Sequence, residues 1–317
     1  MATIPLAVPP QPTLRRRLIG FWDGDVMWSF RHSPVAIGAF VVLFLCLLAA
    51  FAAPLVAPYN PFDLKTLNLT DALAPPRWLA GGNAAFLIGT DDQGRDLLSA
   101  IMYGARISLL VGLGSVALAM VLGVSLGLLA GYVGGRLDAF IMRVADVQLS
   151  FPAILIALLI DGVARAVLPR DSHSGAVLPV LILAIGLSNW VQYARTVRGS
   201  TMVEKSKEYV QAARVIGRSP LQIMARHLLP NVLGPVMVIA TINIASAILT
   251  EAALSFLGVG MPVTEPSLGT LIRVGNDFLF SGEWWITIFP GAALVAMVLS
   301  INLLGDWLRD ALNPKLR

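Results

Sequence analysis

Charge is scarce in this chain. Of its 317 residues only 13% are Asp, Glu, Lys or Arg, about half the share found in ordinary soluble proteins, while 56% are hydrophobic. That shortage excludes an ordinary water-facing surface and makes lipid the expected solvent. Cysteine is almost missing: Cys46 stands alone inside an apolar run, so no disulfide framework can form and no redox pair is implied. Histidine is limited to His32, His173 and His227, all outside the apolar runs. Neither a buried Ser-His pair nor a His-rich metal site can then be assembled within a span, which argues against an intramembrane enzyme. The G-x-x-x-x-G-K-[ST] phosphate loop is absent too, so the chain carries no ATP-hydrolysing motif of that type. Lys and Arg (23) outnumber Asp and Glu (19), but they fall between apolar blocks rather than on one surface, which excludes a nucleic-acid face.

What is there is a series of apolar segments. Six of them approach the roughly 20 residues that a membrane helix needs: Val35 to Ala57, Ile107 to Gly131, Leu137 to Ile160, Ala176 to Tyr193, Val232 to Leu257 and Trp285 to Leu308. The predicted fold is all-α and polytopic. Cytoplasmic loops retain Lys and Arg. With the N-terminus inside, 16 of the 23 fall on the cytoplasmic side and 7 opposite, and an even number of spans puts both termini inside. The chain then divides into a cytoplasmic segment 1–34, a first helix 35–57, an outer loop 58–106, a five-helix core 107–308 and a cytoplasmic tail 309–317. Arg15, Arg16 and Arg17 precede the first apolar stretch as in a signal peptide, but that stretch is too long and starts too late, so it reads as a retained anchor.

Glycine in the second span has a period. Gly123, Gly127 and Gly131 recur every fourth residue and form a groove on one helix face where another backbone can approach. The outer loop begins proline-rich (Pro54, Pro58, Pro61, Pro75, Pro76) and is irregular there. Thr90 and Gln93 then fit a capping box, with Asp91 and Asp92 in the first turn, and predict a short amphipathic helix along the membrane surface, with Leu97, Leu98, Ile101 and Met102 on its apolar side. First-turn acids are accounted for by the helix dipole, so Asp91, Asp92 and Asp96 do not call for a cation.

Between the fourth and fifth spans runs the basic stretch Arg195 to Asn231. Val203, Val210, Ala213 and Ile216 give it an apolar stripe among Glu204, Lys205, Lys207, Glu208 and Arg214. Gly217 supplies the left-handed residue that follows a helix end. A second helix restarts with Ser219 as cap, Pro220 at its first position and Gln222 three residues after the cap, and is expected to end near Pro230. Such a helical pair needs something to pack against: the chain's own helix ends, an anionic lipid surface, or a cytoplasmic protein.

The run Gln211-Ala212-Ala213, then Gly217, then Leu229-Pro230 resembles the EAA loop of ABC-importer permeases. Gln211 stands where the general pattern has Glu, which puts any salt bridge of that Glu in doubt. His227, in Arg226-His227-Leu228-Leu229-Pro230-Asn231, resembles the branch that imports dipeptides, oligopeptides and nickel. The stretches from Gly89 to Gly112, Leu149 to Leu158, Glu251 to Gly260 and Gly305 to Arg317 are all similar to the C-type permease subunit of that branch.

The resemblance implies a type I ABC-importer permease fold, with six membrane helices and a cytoplasmic coupling helix. It implies a related B-type permease as partner, two cytoplasmic ATPases that bind ATP and Mg, and an extracytoplasmic substrate-binding protein. The ATPase-docking residues are then Glu208, Gln211, Ala212, Ala213, Arg214, Gly217, Arg218, Ser219, Pro220, Leu221 and Arg226. Polar residues within spans are functional candidates, and Asp146, Asn243, Ser246 and Asn302 are the candidates for the translocation path. Arg143 can pair with Asp146 one turn away, and Glu251 near the outer end of its span suits a structural bond or a gate. A secondary transporter or channel without ATP coupling is the competing class, although no paired interrupted helices mark inverted repeats. Peptides are the expected cargo; nickel complexes, glutathione and sugars are the alternatives.

Overall fold

The computed structural model describes residues 25–62, 68–167 and 173–311. Arg15, Arg16 and Arg17, and the end of the tail with Lys315 and Arg317, lie outside them. Among the described residues the regular structure is helical, apart from one isolated bridge between Thr90 and Asp96. Among the described residues five helical units are long and apolar enough to cross a bilayer, six if one bent pair is counted as a single span.

Helix α1 (Asp25–Arg31) leads into α2 (Pro34–Phe51). Ser33 caps α2 by accepting a bond from the Ala36 amide, with Pro34 at the first helical position, where a missing N–H costs nothing. Phe40, Phe44, Leu45 and Leu48 stay exposed and only Ala36, Ala39 and Ala50 are buried, so α2 presents apolar side chains outward on nearly every side. A single turn, α3 (Ala53–Val56), ends the unit.

The amphipathic helix expected from Thr90 does not form. Residues 90–96 make a turn in which the Asp91 carboxylate accepts from the backbone amides of Gln93 and Arg95, each at 2.9 Å, and Gly94 takes φ +74°. Asp competes for its neighbours' amides in this way, and the left-handed glycine blocks helix. Asp96 becomes the cap, accepting from the Ser99 amide, and α4 runs unbroken over Leu97–Val133. Leu97 and Ile101 thus begin a span rather than a surface helix.

The third span is not one helix. Helices α5 (Gly135–Leu149) and α6 (Ala153–Val167) meet at 93°. Pro152 lies in the break; it has no N–H to give and pushes Phe151 away from helical geometry. The fourth span is longer than hydropathy implies: α7 covers His173–Glu204, carrying Arg195 and Arg198 as part of the helix.

Helix α7 lies parallel to α4 in the most extensive helix pairing of the fold. A Cβ added at Gly123 would sit 2.4 Å from the Trp190 carbonyl oxygen, at Gly127 2.4 Å from that of Ala194, and at Gly131 2.8 Å from that of Arg198. Every fourth residue of one helix therefore meets every fourth of the other, backbone against backbone.

After α7 come α8 (Glu208–Val215), α9 (Pro220–Ile223), a π turn over Met224–Leu228, and α10 (Leu229–Phe256). The second loop helix does not stop near Pro230. The Leu229 amide donates to the Met224 carbonyl five residues back, and this widened turn carries the helix past Pro230, so Pro220–Phe256 is one continuous unit. Helix α11 (Leu268–Phe278), which hydropathy does not show, is capped by Ser267 and wedged between α10 and α12 (Trp285–Ala311). A Cβ on Gly269 would meet the Ala252 carbonyl at 2.4 Å, and one on Gly275 the Ile286–Thr287 backbone at 2.6 Å.

Replacing Gly127 with Leu should force α4 from α7 and destabilise the protein by about 1–3 kcal/mol. The readout is a lower thermal midpoint in detergent. Gly162→Leu, at a position with nothing within 4 Å, should leave the midpoint nearly unchanged.

Candidate functional site

The ends of α4, α5 and α7 form a polar platform. Arg198 on α7 grips Asp138 on α5 with both Nε and Nη2, the latter 2.7 Å from Oδ2. Arg195 reaches Asp146 at 2.6 Å. The Gln148 amide donates to the Leu187 carbonyl at 2.6 Å and accepts from the Trp190 indole at 2.7 Å. Lys205 donates to the Gly131 carbonyl at 2.7 Å, so a cation sits at the C-terminal end of the α4 dipole. The expected pairing of Asp146 with Arg143 is thus replaced by one between helices, because α5 lies across α7 and brings Arg195 to it.

The α8–α9 pair rests on this platform. Val210 and Ala213 turn inward and join Ile223, Met224 and Leu228 in the main core cluster. Glu204 at the end of α7 accepts from Lys207 Nζ and from the Tyr209 hydroxyl, both at 2.6 Å, and Asn231 at the start of α10 donates to that hydroxyl at 3.2 Å. Tyr209 thereby ties three elements together. The Arg214 guanidinium lies 5.4 Å from the centre of the Tyr132 ring, joining α8 to the end of α4. Gly217 holds φ +77°, the Arg218 amide closes the turn on the Ala213 carbonyl, and Ser219 caps α9 through the Gln222 amide at 3.3 Å.

The outer side of the pair is a small apolar knob: Val215 is 88% exposed, Ile216 70% and Leu221 72%. Glu208, Gln211, Ala212, Arg214, Gly217, Arg218, Ser219, Pro220 and Arg226 are exposed beside it. Of the docking candidates, Ala213 alone is buried; it holds α8 down rather than facing out. Ile216 and Val203 leave the expected buried stripe, because α7 ends at Glu204 and α8 starts afresh at Glu208, breaking the phase between them.

A family model described as the binding-protein-dependent transport system inner membrane component matches residues 123–317, more than half of the chain. The chain belongs to that family. A second model, the N-terminal TM domain of oligopeptide transport permease C, matches residues 20–76. The di/tripeptide transport system permease protein DppC of Pseudomonas aeruginosa is 40% identical, covering 100% of this chain and 96% of that protein. The dipeptide transport system permease protein DppC of Haemophilus influenzae is 37% identical over the whole of both chains. Its namesake in Escherichia coli is 42% identical over 91% of each. A chain from an inward-facing structure of the MetNI methionine ABC transporter superposes with TM-score 0.52 at 20% identity, covering 68% of this chain and 96% of that one, and shows a shared fold.

As a permease, the chain is the membrane component of its transport system. Its polar span residues are dispersed. Asn243 is buried in α10 beside Tyr193, Ser246 is exposed one turn on, Asn302 is half-buried on α12, and Asp146 is exposed near the end of α5. No hydrogen bond links any two of the four.

Glu251 is fully buried, accepting from the Ser108 hydroxyl of α4 and from Ser255, each at 2.7 Å, while Ser255 takes the Met261 amide. It is a tie among α4, α10 and the turn before α11. At the opposite end of α4, Arg95 is 2% exposed; it pairs with Asp91 at 2.6 Å and donates to the Val263 carbonyl. Asp91 is thereby committed to Arg95 and Asp96 to Ser99. Tyr209 and Asp138 escape sequence reasoning, since Asn231 and Arg198, which give them their roles, lie 22 and 60 residues away.

Burial of the Tyr209 hydroxyl and its bond to Glu204 push its pKa up to about 12. Because the folded value is raised, the stability this group contributes is fully present below the ordinary tyrosine value of about 10 and is lost as pH rises toward 12. An absorbance titration of the wild type minus that of Tyr209→Phe should show one phenol ionising near 12 rather than near 10.

Proposed function

We propose that this permease forms half of the pathway of an ATP-driven importer of di- or oligopeptides, moved by a cytoplasmic ATPase seated on the α8–α9 knob. One observation carries the reading: an exposed apolar patch of Val215, Ile216 and Leu221 is fixed to the ends of α4, α7 and α10 at once. A push on that patch is therefore delivered to three spans together. The names of whole-length relatives, all peptide-transport permeases, support the cargo.

In this reading the 195–231 stretch is cytoplasmic, and so are the termini, in keeping with the 16-to-7 distribution of Lys and Arg. Glu208, Gln211, Ala212, Arg214, Gly217, Arg218, Ser219, Pro220, Leu221 and Arg226 meet the ATPase, while Ala213 supports them from beneath. ATP and Mg are held by two such ATPase subunits. A related B-type permease completes the pathway, and an extracytoplasmic binding protein delivers peptide to the 58–106 loop. Asn243, Ser246, Asn302 and Asp146 are the polar groups assigned to the path; Asn243, buried here, would reach it only as the spans move.

Reconstitution with the ATPases, the second permease and the binding protein should give uptake of labelled dipeptide that depends on ATP. Uptake by the permeases without an ATPase would overturn the reading. Val at position 217 would be forced into the left-handed region at about 1–2 kcal/mol. Gly217→Val should therefore reach the membrane in normal amount yet co-purify with about five- to thirty-fold less ATPase.

A further inference from the structure

Helix α7 carries polar side chains on a stripe that the described residues leave open. Gln192 and Arg195 are exposed there, and Gly199 continues the stripe with nothing within 4 Å of where a Cβ would stand. Residues three and four apart share one side of a helix. Beside them on α5 stand Arg143 and Asp146, both exposed, and the Arg195–Asp146 ion pair leaves its two side chains 48% and 54% open. Among the described residues the Gln192 amide has no hydrogen-bond partner. Toward the start of α7 the stripe turns apolar at Leu187 and Leu183.

Helix α4 gauges the depth of these groups. Gly123 lies against Trp190, Gly127 against Ala194 and Gly131 against Arg198, so Gln192 and Arg195 are level with the last turns of the apolar run that ends at Gly131. Gln192 stands about 9 Å along the axis from Arg198. Amide, guanidinium and carboxylate groups exposed at that depth are costly against acyl chains; such groups face a bundle interior or a water-filled cavity. We infer, on the strength of the importer reading above, that this face of α7 and α5 is the wall of a water-filled passage, the cytoplasmic half of the translocation path, and that Gln192 hydrogen-bonds the amides of a passing peptide. A carboxamide suits that cargo: like each peptide bond it offers a donor and an acceptor, and it makes no demand on the peptide's charge. Water enters from the Glu204 end of α7 and stops at Leu187 and Leu183.

The test uses the assembled transporter in liposomes, with Cys46→Ser removing the chain's one thiol and a sulfonated methanethiosulfonate on both sides of the bilayer. Labelling is read as added mass on this chain. Only a thiol that water can ionise reacts, so Gln192→Cys should label at least about ten-fold faster than Phe44→Cys, in the middle of α2. Asp146→Cys, on the facing helix, should behave like Gln192→Cys. With ATP and the binding protein present throughout, adding saturating dipeptide should slow both reactions about two-fold, as expected of a passage occupied half of the time. Labelling at positions 192 and 146 as slow as at position 44, or fast labelling that dipeptide leaves unchanged, would overturn the inference. Dipeptide uptake by the Cys46→Ser parent separates the two readings: uptake without an ATPase counts against the importer itself, whereas a silent thiol at position 192 beside normal ATP-driven uptake counts against the passage wall alone.

Discussion

In a bilayer, helices gain little by hiding carbon from carbon-rich surroundings, so what holds them is close packing. The approach of α4 to α7 at Gly123, Gly127 and Gly131 is the contact from which the rest of this protein is arranged. With no side chain between them from Gly123 to Gly131, the two backbones run alongside one another there, and their adjoining ends finish in fixed register. That register puts Arg198 opposite Asp138 and lets Lys205 reach the Gly131 carbonyl. Had a bulkier residue kept the helices apart, neither bond would span the gap, and α8 would have no platform.

The platform explains how a small loop can act on a large bundle. A surface ion pair is worth little in isolation, and several of those here are half-exposed. Their effect is geometric rather than energetic. Tyr209, Arg214 and Lys205 each join a different pair of elements, so α8 cannot tilt without drawing on α4, α7 and α10. Near the other end of α4, Glu251 and the Asp91–Arg95 pair do the same for α4, α10 and the turn before α11, in surroundings where buried polar groups need partners. The permease is thus tied polar-side to polar-side at both ends and packed by small residues between.

Much of this was legible in the sequence. The spans stand out because lipid demands long apolar runs, and the turn at Gly217, Ser219 and Pro220 stands out because each residue type there is suited to one backbone geometry. What misled was local ambiguity. Thr90, Asp91 and Gln93 serve a capping box or a side-chain turn equally well, and only Gly94's conformation separates the two. Hydropathy averaged across Pro152 hid a right-angle bend. Arg195 and Arg198 read as the start of a loop until Asp146 and Asp138, some fifty and sixty residues earlier, appeared beside them. Helix α11 is eleven residues long and holds Gly269 and Gly275, which lower its helical signal and are needed for its fit between α10 and α12. For the proposed docking face, type and spacing were readable, but the fastening beneath it was not, because Tyr209 and Asn231 meet only in three dimensions.

The π turn at Met224–Leu228 sets the angular phase between the loop and the membrane. One residue more than a regular helical turn contains is taken up there, so everything before it is rotated by about 100° relative to α10. Leu221 points outward while Val232, Val236 and Ala240 point into the core because of that offset. Were the turn to tighten into ordinary α-helix, the knob could follow only by breaking the ties of Tyr209 and Arg214 to α7, α10 and α4. The extra residue is therefore a locked twist, which couples any rotation of the loop about α10 to the neighbouring spans.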